Sequence, residues 1–317
     1  MRYGQLGDSG LTVSAVGLGC NNVGGRLDLD GTRAVVDAAI EAGITLLDTA
    51  DSYGGGASEG ILGEILAGRR DGVVLATKFG NDMRGANGPD WGARGSRRYV
   101  RRAVEGSLRR LRTDWIDLYQ YHTPDGVTPI EETLAALGEL VAEGKVRYAG
   151  SSNLAAWQVV EADFVARADG TPRFVSAQNE YNLLDRRAEA ELAPACEAYG
   201  VGILPFFPLA NGLLTGKYRR DAAPAAGTRI GDRKPRLHSE APWEVIEALE
   251  KYAEERGLTL LDVAIGGLAA QPAVASVIAG ATSPEQVRAN ARAGAWVPTA
   301  DDLAALDEIA PSPRADD

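Results

Sequence analysis

Apolar and polar positions alternate along this chain in two recurring patterns. Short β-branched apolar runs of strand length are followed by longer stretches whose apolar residues return every three to four positions, the spacing of one helix face. The strand-like runs are residues 13–17, 45–48, 73–77, 116–121, 146–151, 175–179, 202–206 and 275–279. Helical stretches between them cover 32–42, 58–66, 97–111, 130–142, 154–166 and 188–199. A longer excursion follows the seventh run, and helices then fall near 243–255 and 260–270. The eighth run leads into a helix at 284–293, and 300–309 forms a last one.

Strands that alternate with helices favour a parallel sheet, because right-handed crossovers carry the chain back over the same face. Eight is the number that closes a barrel whose interior side chains can fill. The rival is an open doubly wound sheet, which wants G-x-G-x-x-G at its first strand–helix turn. Here Gly17-Leu18-Gly19-Cys20-Asn21-Asn22 supplies two glycines and then an asparagine. The expected fold is therefore an α/β protein, a single (β/α)8 TIM barrel over residues 1–317 with a C-terminal helix. Two segments break its rhythm: 80–95, rich in Gly and Asn after strand three, and 219–242, rich in Pro, Ala and Arg after strand seven. Both follow strand C-termini, the face on which barrel enzymes build their sites, so they read as substrate and cofactor loops.

Composition narrows the classes. The 317 residues are 45% hydrophobic and 24% charged, ordinary for a globular protein. Lys+Arg 33 against Asp+Glu 44 gives a net charge of −11, which argues against a nucleic-acid partner. Two cysteines, Cys20 and Cys196, are too few for a disulfide framework, and no C-x-x-C pair suggests zinc. Only His122 and His238 could supply imidazole ligands, so no metal site is expected, and His238 reads as a solvent residue. The N-terminus lacks the basic and apolar regions of a signal peptide, and no apolar run reaches the ~18 residues of a membrane span. A cytoplasmic protein without membrane contact is expected. Nothing in the sequence sets a subunit number.

Four polar residues stand at or just beyond strand ends. Asp48 closes strand two and Tyr53 follows in its loop; Lys78 and His122 end strands three and four. Taken singly, each is ordinarily a strand-end cap, a surface lysine or a satisfied core histidine. Together they occupy neighbouring strand ends, each after a run that should be buried, where a charge is costly unless paired. Tyrosine titrates near ~10, and a nearby ammonium favours tyrosinate and lowers that value. An aspartate would keep the lysine charged, and a neutral imidazole could orient a carbonyl oxygen. This set can protonate an oxygen while another agent delivers hydride to its carbon.

The segments LLDTADSYGGG, ATKFG, DLYQYHTPD, GSSN, QNEYNLL, PFFPLANGLLTGKY and AGATSPEQVRAN together resemble the aldo-keto reductase family, in order from Leu11 to Asn290. The resemblance implies a β/α barrel that binds NADP(H) without a Rossmann domain and reduces aldehydes or ketones. It assigns Tyr53 as proton donor, Lys78 as its pKa partner, Asp48 as the group pairing Lys78, and His122 as the residue orienting the carbonyl. Ser152, Asn153 and Gln178 match contacts to the nicotinamide carboxamide, and Phe206 matches a ring stacked on nicotinamide. Phe207 stands where relatives carry serine. Gly19, Cys20, Asn21, Pro208, Leu209 and Gly212 fall on the cofactor side, although a small buried cysteine such as Cys20 is also an ordinary packing residue.

Residues Gly280 to Glu285 resemble a loop entering a helix N-terminus, where exposed N–H groups favour an anion. Ser283 and Pro284 equally read as N-cap and first helical residue. Thr282, Ser283, Gln286 and Asn290 are implied on the adenosine side. Relatives often place Lys and Arg here for a 2′-phosphate, whereas this chain has Gly280 and Gln286. Lys217 and Arg229 could supply that charge, as in the branch resembling potassium-channel β subunits. NADPH is the expected cofactor, with NADH open. Asn21, Asn22, Trp91 and Phe207 are candidate substrate contacts, and the asparagines point to a hydroxylated carbonyl such as a sugar or ketosugar. Two other readings are a redox-sensing regulatory subunit with slow turnover and a metal-dependent barrel isomerase or hydrolase, the last lacking clustered ligands.

Overall fold

A computed structural model describes residues 1–228, 230–231 and 234–313. Two short antiparallel strands, β1 (Tyr3–Gln5) and β2 (Thr12–Ser14), precede eight parallel ones. These are β3 (Val16–Gly19), β4 (Leu46–Asp48), β5 (Val74–Phe79), β6 (Ile116–Tyr121), β7 (Val146–Ser152), β8 (Phe174–Gln178), β9 (Gly202–Ile203) and β10 (Val277–Gly280). Ladders join them in the order β10-β3-β4-β5-β6-β7-β8-β9. The ends of that order meet. Ile203 N–H donates to Ala273 O at 2.7 Å and Ala275 N–H to Ile203 O at 2.9 Å, so β9 runs beside the segment entering β10. The expected (β/α)8 barrel is the fold observed.

Helices cover the outside: α1 (Leu29–Glu41), α2 (Ala57–Ile65), α3 (Arg97–Leu111), α4 (Ile130–Ala142), α5 (Ala156–Asp169) and α6 (Leu192–Tyr199). After β9 come α7 (Arg236–Ser239), α8 (Trp243–Glu255) and α9 (Leu260–Ala269), then α10 (Pro284–Ala293) and α11 (Ala300–Ile309). Leu47, Leu75, Tyr119 and Ala149 point outward into the helix layer. Leu46, Ala76, Leu118, Leu204 and Ile278 point inward. Strand side chains alternate with a period of two, so Asp48, Lys78 and Gln120, two residues on, also face the interior. That parity sets a polar layer above an apolar one. Gly150 lies in the same interior, where a Cβ would come within 2.3 Å of Ser176 Oγ, so no side chain fits.

Leu6 and Val13 complete the lower apolar layer, and the β1–β2 hairpin thereby plugs the barrel where its strands begin. The apolar pattern does not announce this hairpin. Residues 13–17 read as one strand, but the structure divides them: Thr12–Ser14 pairs with the hairpin and the barrel strand starts at Val16. Ser14 makes the break by exchanging hydrogen bonds with Thr45, N–H to Oγ1 and Oγ from N–H, each at 3.0 Å. Strand seven, expected over 202–206, ends its ladder at Ile203 because Pro205 carries no N–H. Leu204 and Phe206 N–H groups still donate to Ala177 and Asn179 carbonyls, which carries Phe206 to the rim. The long segment after β5 has neither helix nor strand before α3, whereas the one after β9 contains α7 and packs Leu213, Leu214 and Tyr218 against α8 and α9.

Candidate active site

A cavity of about 700 Å³ opens at the C-terminal ends of the strands, a volume within the range of ligand sites, roughly 300–1,000 Å³. Asp48, Tyr53 and His122 line it, and Lys78 lies fully buried behind them. Lys78 Nζ donates to Asp48 Oδ2 at 2.6 Å and to Thr49 O at 2.9 Å, and lies 3.5 Å from Tyr53 Oη. Asp48 Oδ1 accepts from Gln120 Nε2 at 3.0 Å and Gln178 Nε2 at 2.9 Å. Both carboxylate oxygens are therefore satisfied, which is what a buried charge requires. Gln120 is not among the residues the sequence pattern singles out. Its position on β6, two residues before His122, is the available signal.

Tyr53 reaches this group from a turn, not a strand. It opens a short 3-10 segment in which Gly54, Gly55 and Gly56 take φ of 59°, 65° and 99°. Three successive left-handed residues demand glycine, which accounts for the YGGG run. Asn153 stands at φ 57° at the end of β7, donates Nδ2–H to His122 O at 2.9 Å and lines the cavity. Phe207 (52°) and Asn211 (59°) take the same conformation in the rim after β9. Non-glycine residues held there cost of order 1–3 kcal/mol each and gather at functional sites.

Protonation follows from burial and neighbours. Burial works against the Lys78 ammonium, but Asp48 and Tyr53 outweigh it and raise its pKa above the ordinary lysine value. Burial raises the Tyr53 phenol, and Lys78 pulls the other way without cancelling that rise. The expectation that the lysine would bring the phenol below its ordinary value is thus corrected, because desolvation of a tyrosinate is the larger effect. Tyr53 stays protonated through neutrality. Burial, followed by the Lys78 charge, lowers His122 to about 3, so its imidazole is neutral. Burial, followed by the Asp48 charge, pushes the Cys20 thiol up to about 12, which makes it unreactive.

The remaining wall brings together Gly19, Cys20, Asn21, Asn22, Ser152, Gln178, Phe206, Pro208, Leu209, Gly212, Lys217, Gly280, Thr282, Gln286 and Asn290. Asn22 is buried and donates Nδ2–H to Ala281 O at 3.2 Å, bracing the β3 side to the β10 side. Ser283 caps α10, accepting from Gln286 N–H at 3.4 Å, and is not part of the wall. Trp91 is not in the wall either: it is 77% exposed, with the Arg98 guanidinium over its ring. Arg229 lies outside the described residues. Arg26, which no sequence pattern marks, lines the cavity and donates to Gly227 O at 2.7 Å, tying the β3 loop to the long loop after β9. Among the described residues no helix is long and apolar enough to cross a membrane, and no group of three or more His, Cys, Asp or Glu could hold a metal ion.

A cleft of this kind at the mouth of a (β/α)8 barrel fits an oxidoreductase family. The sequence matches the aldo/keto reductase family over residues 15–311. It is 35% identical over 303 residues to a probable voltage-gated potassium channel subunit beta of Oryza sativa subsp. japonica, covering 92% of this chain and 91% of that protein. It is 34% identical over 310 residues to the L-glyceraldehyde 3-phosphate reductase of Escherichia coli K12, covering 92% and 88%. It is 35% identical over 298 residues to the versiconal hemiacetal acetate reductase of Aspergillus parasiticus, covering 86% of each. The chain belongs to the aldo/keto reductase family.

Proposed function

We propose that this protein is an NADP(H)-dependent reductase of aldehydes or ketones, with Tyr53 as the proton donor. The observation that carries the reading is the buried line Tyr53–Lys78–Asp48 opening onto a cavity beside a neutral His122. A phenol paired in this way can give up its proton to a forming alkoxide, because the lysine meets the new negative charge without reorganisation. His122 and Tyr53 stand edge to face with ring centroids 5.9 Å apart, close enough to hold one carbonyl oxygen between them.

The cavity suits a dinucleotide. Ser152, Asn153 and Gln178 offer amide and hydroxyl groups at one end, and Phe206 offers a ring face beside them. Thr282 and Gln286 line the cavity by the start of α10, and Lys217 lines it from the long loop after β9. Bound there, NADPH supplies the hydride that reduces the carbonyl carbon. Gln178 spends its Nε2–H on Asp48, so its Oε1 is the atom suited to accept from a carboxamide. Among the described residues lining the cavity the cations are Arg26 and Lys217, which supports NADPH with NADH as a weaker alternative. Lys217→Ala should raise the KM for NADPH about tenfold, one charged contact's worth, and leave that for NADH nearly unchanged; equal effects on both would remove Lys217 from phosphate recognition.

A hydroxylated substrate, such as a sugar or ketosugar, is supported by the polar wall at Asn21 and Thr228 and by the likeness to the L-glyceraldehyde 3-phosphate reductase. The deciding experiment follows the loss of reduced-nicotinamide absorbance with NADPH and NADH against aldehydes, ketones and ketosugars. Rapid oxidation of NADPH by one class is the expected result. Tight binding with slow turnover on every member would favour a second reading, an NADP(H)-binding regulatory subunit, which the likeness to the channel subunit beta supports.

A further inference from the structure

The loop after β5 places one side chain against the His122 ring. Asn81 Nδ2 is 3.0 Å from His122 Nδ1. The main chain of Asn81 is fixed in turn, since its carbonyl accepts from the Tyr99 hydroxyl at 3.2 Å. Asn87 Nδ2 donates to that hydroxyl and to Asp51 Oδ2, each at 3.2 Å. A chain of hydrogen bonds, buried at Asn87 and half-buried at Asn81, thus runs from the loop carrying Tyr53, through α3 and the loop after β5, to the histidine ring.

We infer that Asn81 is a positioning residue that holds His122 in the tautomer with its proton on Nε2. The inference rests on the reading of His122 as the group that orients a carbonyl. A neutral imidazole has one N–H, and its placement follows from the bond made by the other nitrogen. An amide N–H given to Nδ1 occupies that lone pair and leaves Nε2–H for the cavity that His122 lines. A carbonyl oxygen is an acceptor, so the opposite tautomer would face it with a lone pair.

The charged and titratable groups around the ring do not compete for this task. Lys78 from β5 donates to Asp48 and approaches the hydroxyl of Tyr53 from the β4 loop. Asp82, beside Asn81, accepts from Arg84 N–H and pairs with Arg94, and Asp125 accepts from Gly95, Val127 and Thr128. Asp51, at the far end of the chain, is raised to about 7 by burial and then by Glu59, and it is shared by every variant considered below.

The test is Asn81→Asp, which keeps the size of the side chain but can only accept. A carboxylate there draws the proton to Nδ1 and raises the pKa of His122. At pH 8 turnover should fall roughly 100-fold, the low end of what a positioned acid–base group contributes. It should recover as pH falls, because the imidazolium carries N–H on both nitrogens. The wild type, with His122 near 3, should lack that recovery. Because the chain has only His122 and His238, 15N–1H spectra of histidine-labelled protein, assigned with His122→Gln, read the tautomer without any assay. The ring should be protonated on Nε2 in the wild type and on Nδ1 in Asn81→Asp at pH 8, and Asn81→Ala should show a mixture. A wild-type ring protonated on Nδ1, or an unchanged tautomer in Asn81→Asp, overturns the inference. Should the tautomer switch while turnover holds, and His122→Gln also stay active, the reading of His122 as carbonyl-orienting fails and the assignment of Asn81 stands.

Discussion

Tyr53→Phe should abolish carbonyl reduction while leaving NADPH affinity within about twofold. Among the described residues the phenol is the one acidic hydroxyl hydrogen-bonded to Lys78, 3.5 Å from its Nζ, and phenylalanine keeps the ring while removing only that atom. Loss of a positioned proton donor costs about 10²–10⁴ in rate, or roughly 3–5 kcal/mol of barrier at 1.36 kcal/mol per decade. Single-turnover reduction and fluorescence titration with NADPH separate the two quantities. Retained turnover would remove Tyr53 from the chemistry. Because burial holds its pKa above that of a free phenol, wild-type reduction should stay level through neutrality and decline only in alkali, as the donor ionises.

Asp48→Ala should be the most destabilising change at the site. Lys78 is fully buried and its counter-ion is 2.6 Å away. Removing one partner of such a pair typically costs about 3–5 kcal/mol, because the remaining charge is left without compensation. Gln120 and Gln178 lose their common acceptor as well. The pH dependence carries a distinctive sign. In the wild type the raised pKa of Lys78 contributes stability that is present below the unfolded value and lost as pH rises through the folded one. In the variant that lysine is held in an apolar site, its folded pKa drops below the unfolded value, and stability instead increases with pH. The gap between the two proteins should therefore narrow between pH 7 and 9.5 in urea melts. Adding Lys78→Met to Asp48→Ala should restore part of the loss; a double variant weaker than the single one would contradict the pairing argument.

The sequence made some of this site legible and hid the rest for identifiable reasons. Asp48, Lys78 and His122 close hydrophobic runs, so their places at strand ends can be read from the apolar pattern. Gln120 is open to the same alternation, since it shares the parity of Leu118 and His122. The hairpin at Tyr3–Gln5 and Thr12–Ser14 is concealed because the apolar pattern continues across Ser14, where only a side-chain exchange with Thr45 marks the break. Asn81 and Arg26 sit in loops without periodicity, and their partners, His122 and Gly227, are 41 and 201 positions away. Trp91 illustrates the converse: a large aromatic on a glycine-rich loop suggests a pocket wall, yet its left-handed backbone and Arg98 hold it on the surface.

The plug at the bottom of the barrel gives the molecule a blunt end and a working end. Tyr3 hydroxyl donates to Gly43 O at 2.9 Å, so the start of the chain is tied down just before β4 begins, on the face opposite the cavity. Leu6 and Val13 seal the axis there, and everything that enters or leaves the interior must use the other mouth. A tether, tag or solid support joined through the N-terminus would thus grip the protein from behind, with its open face turned towards the solution.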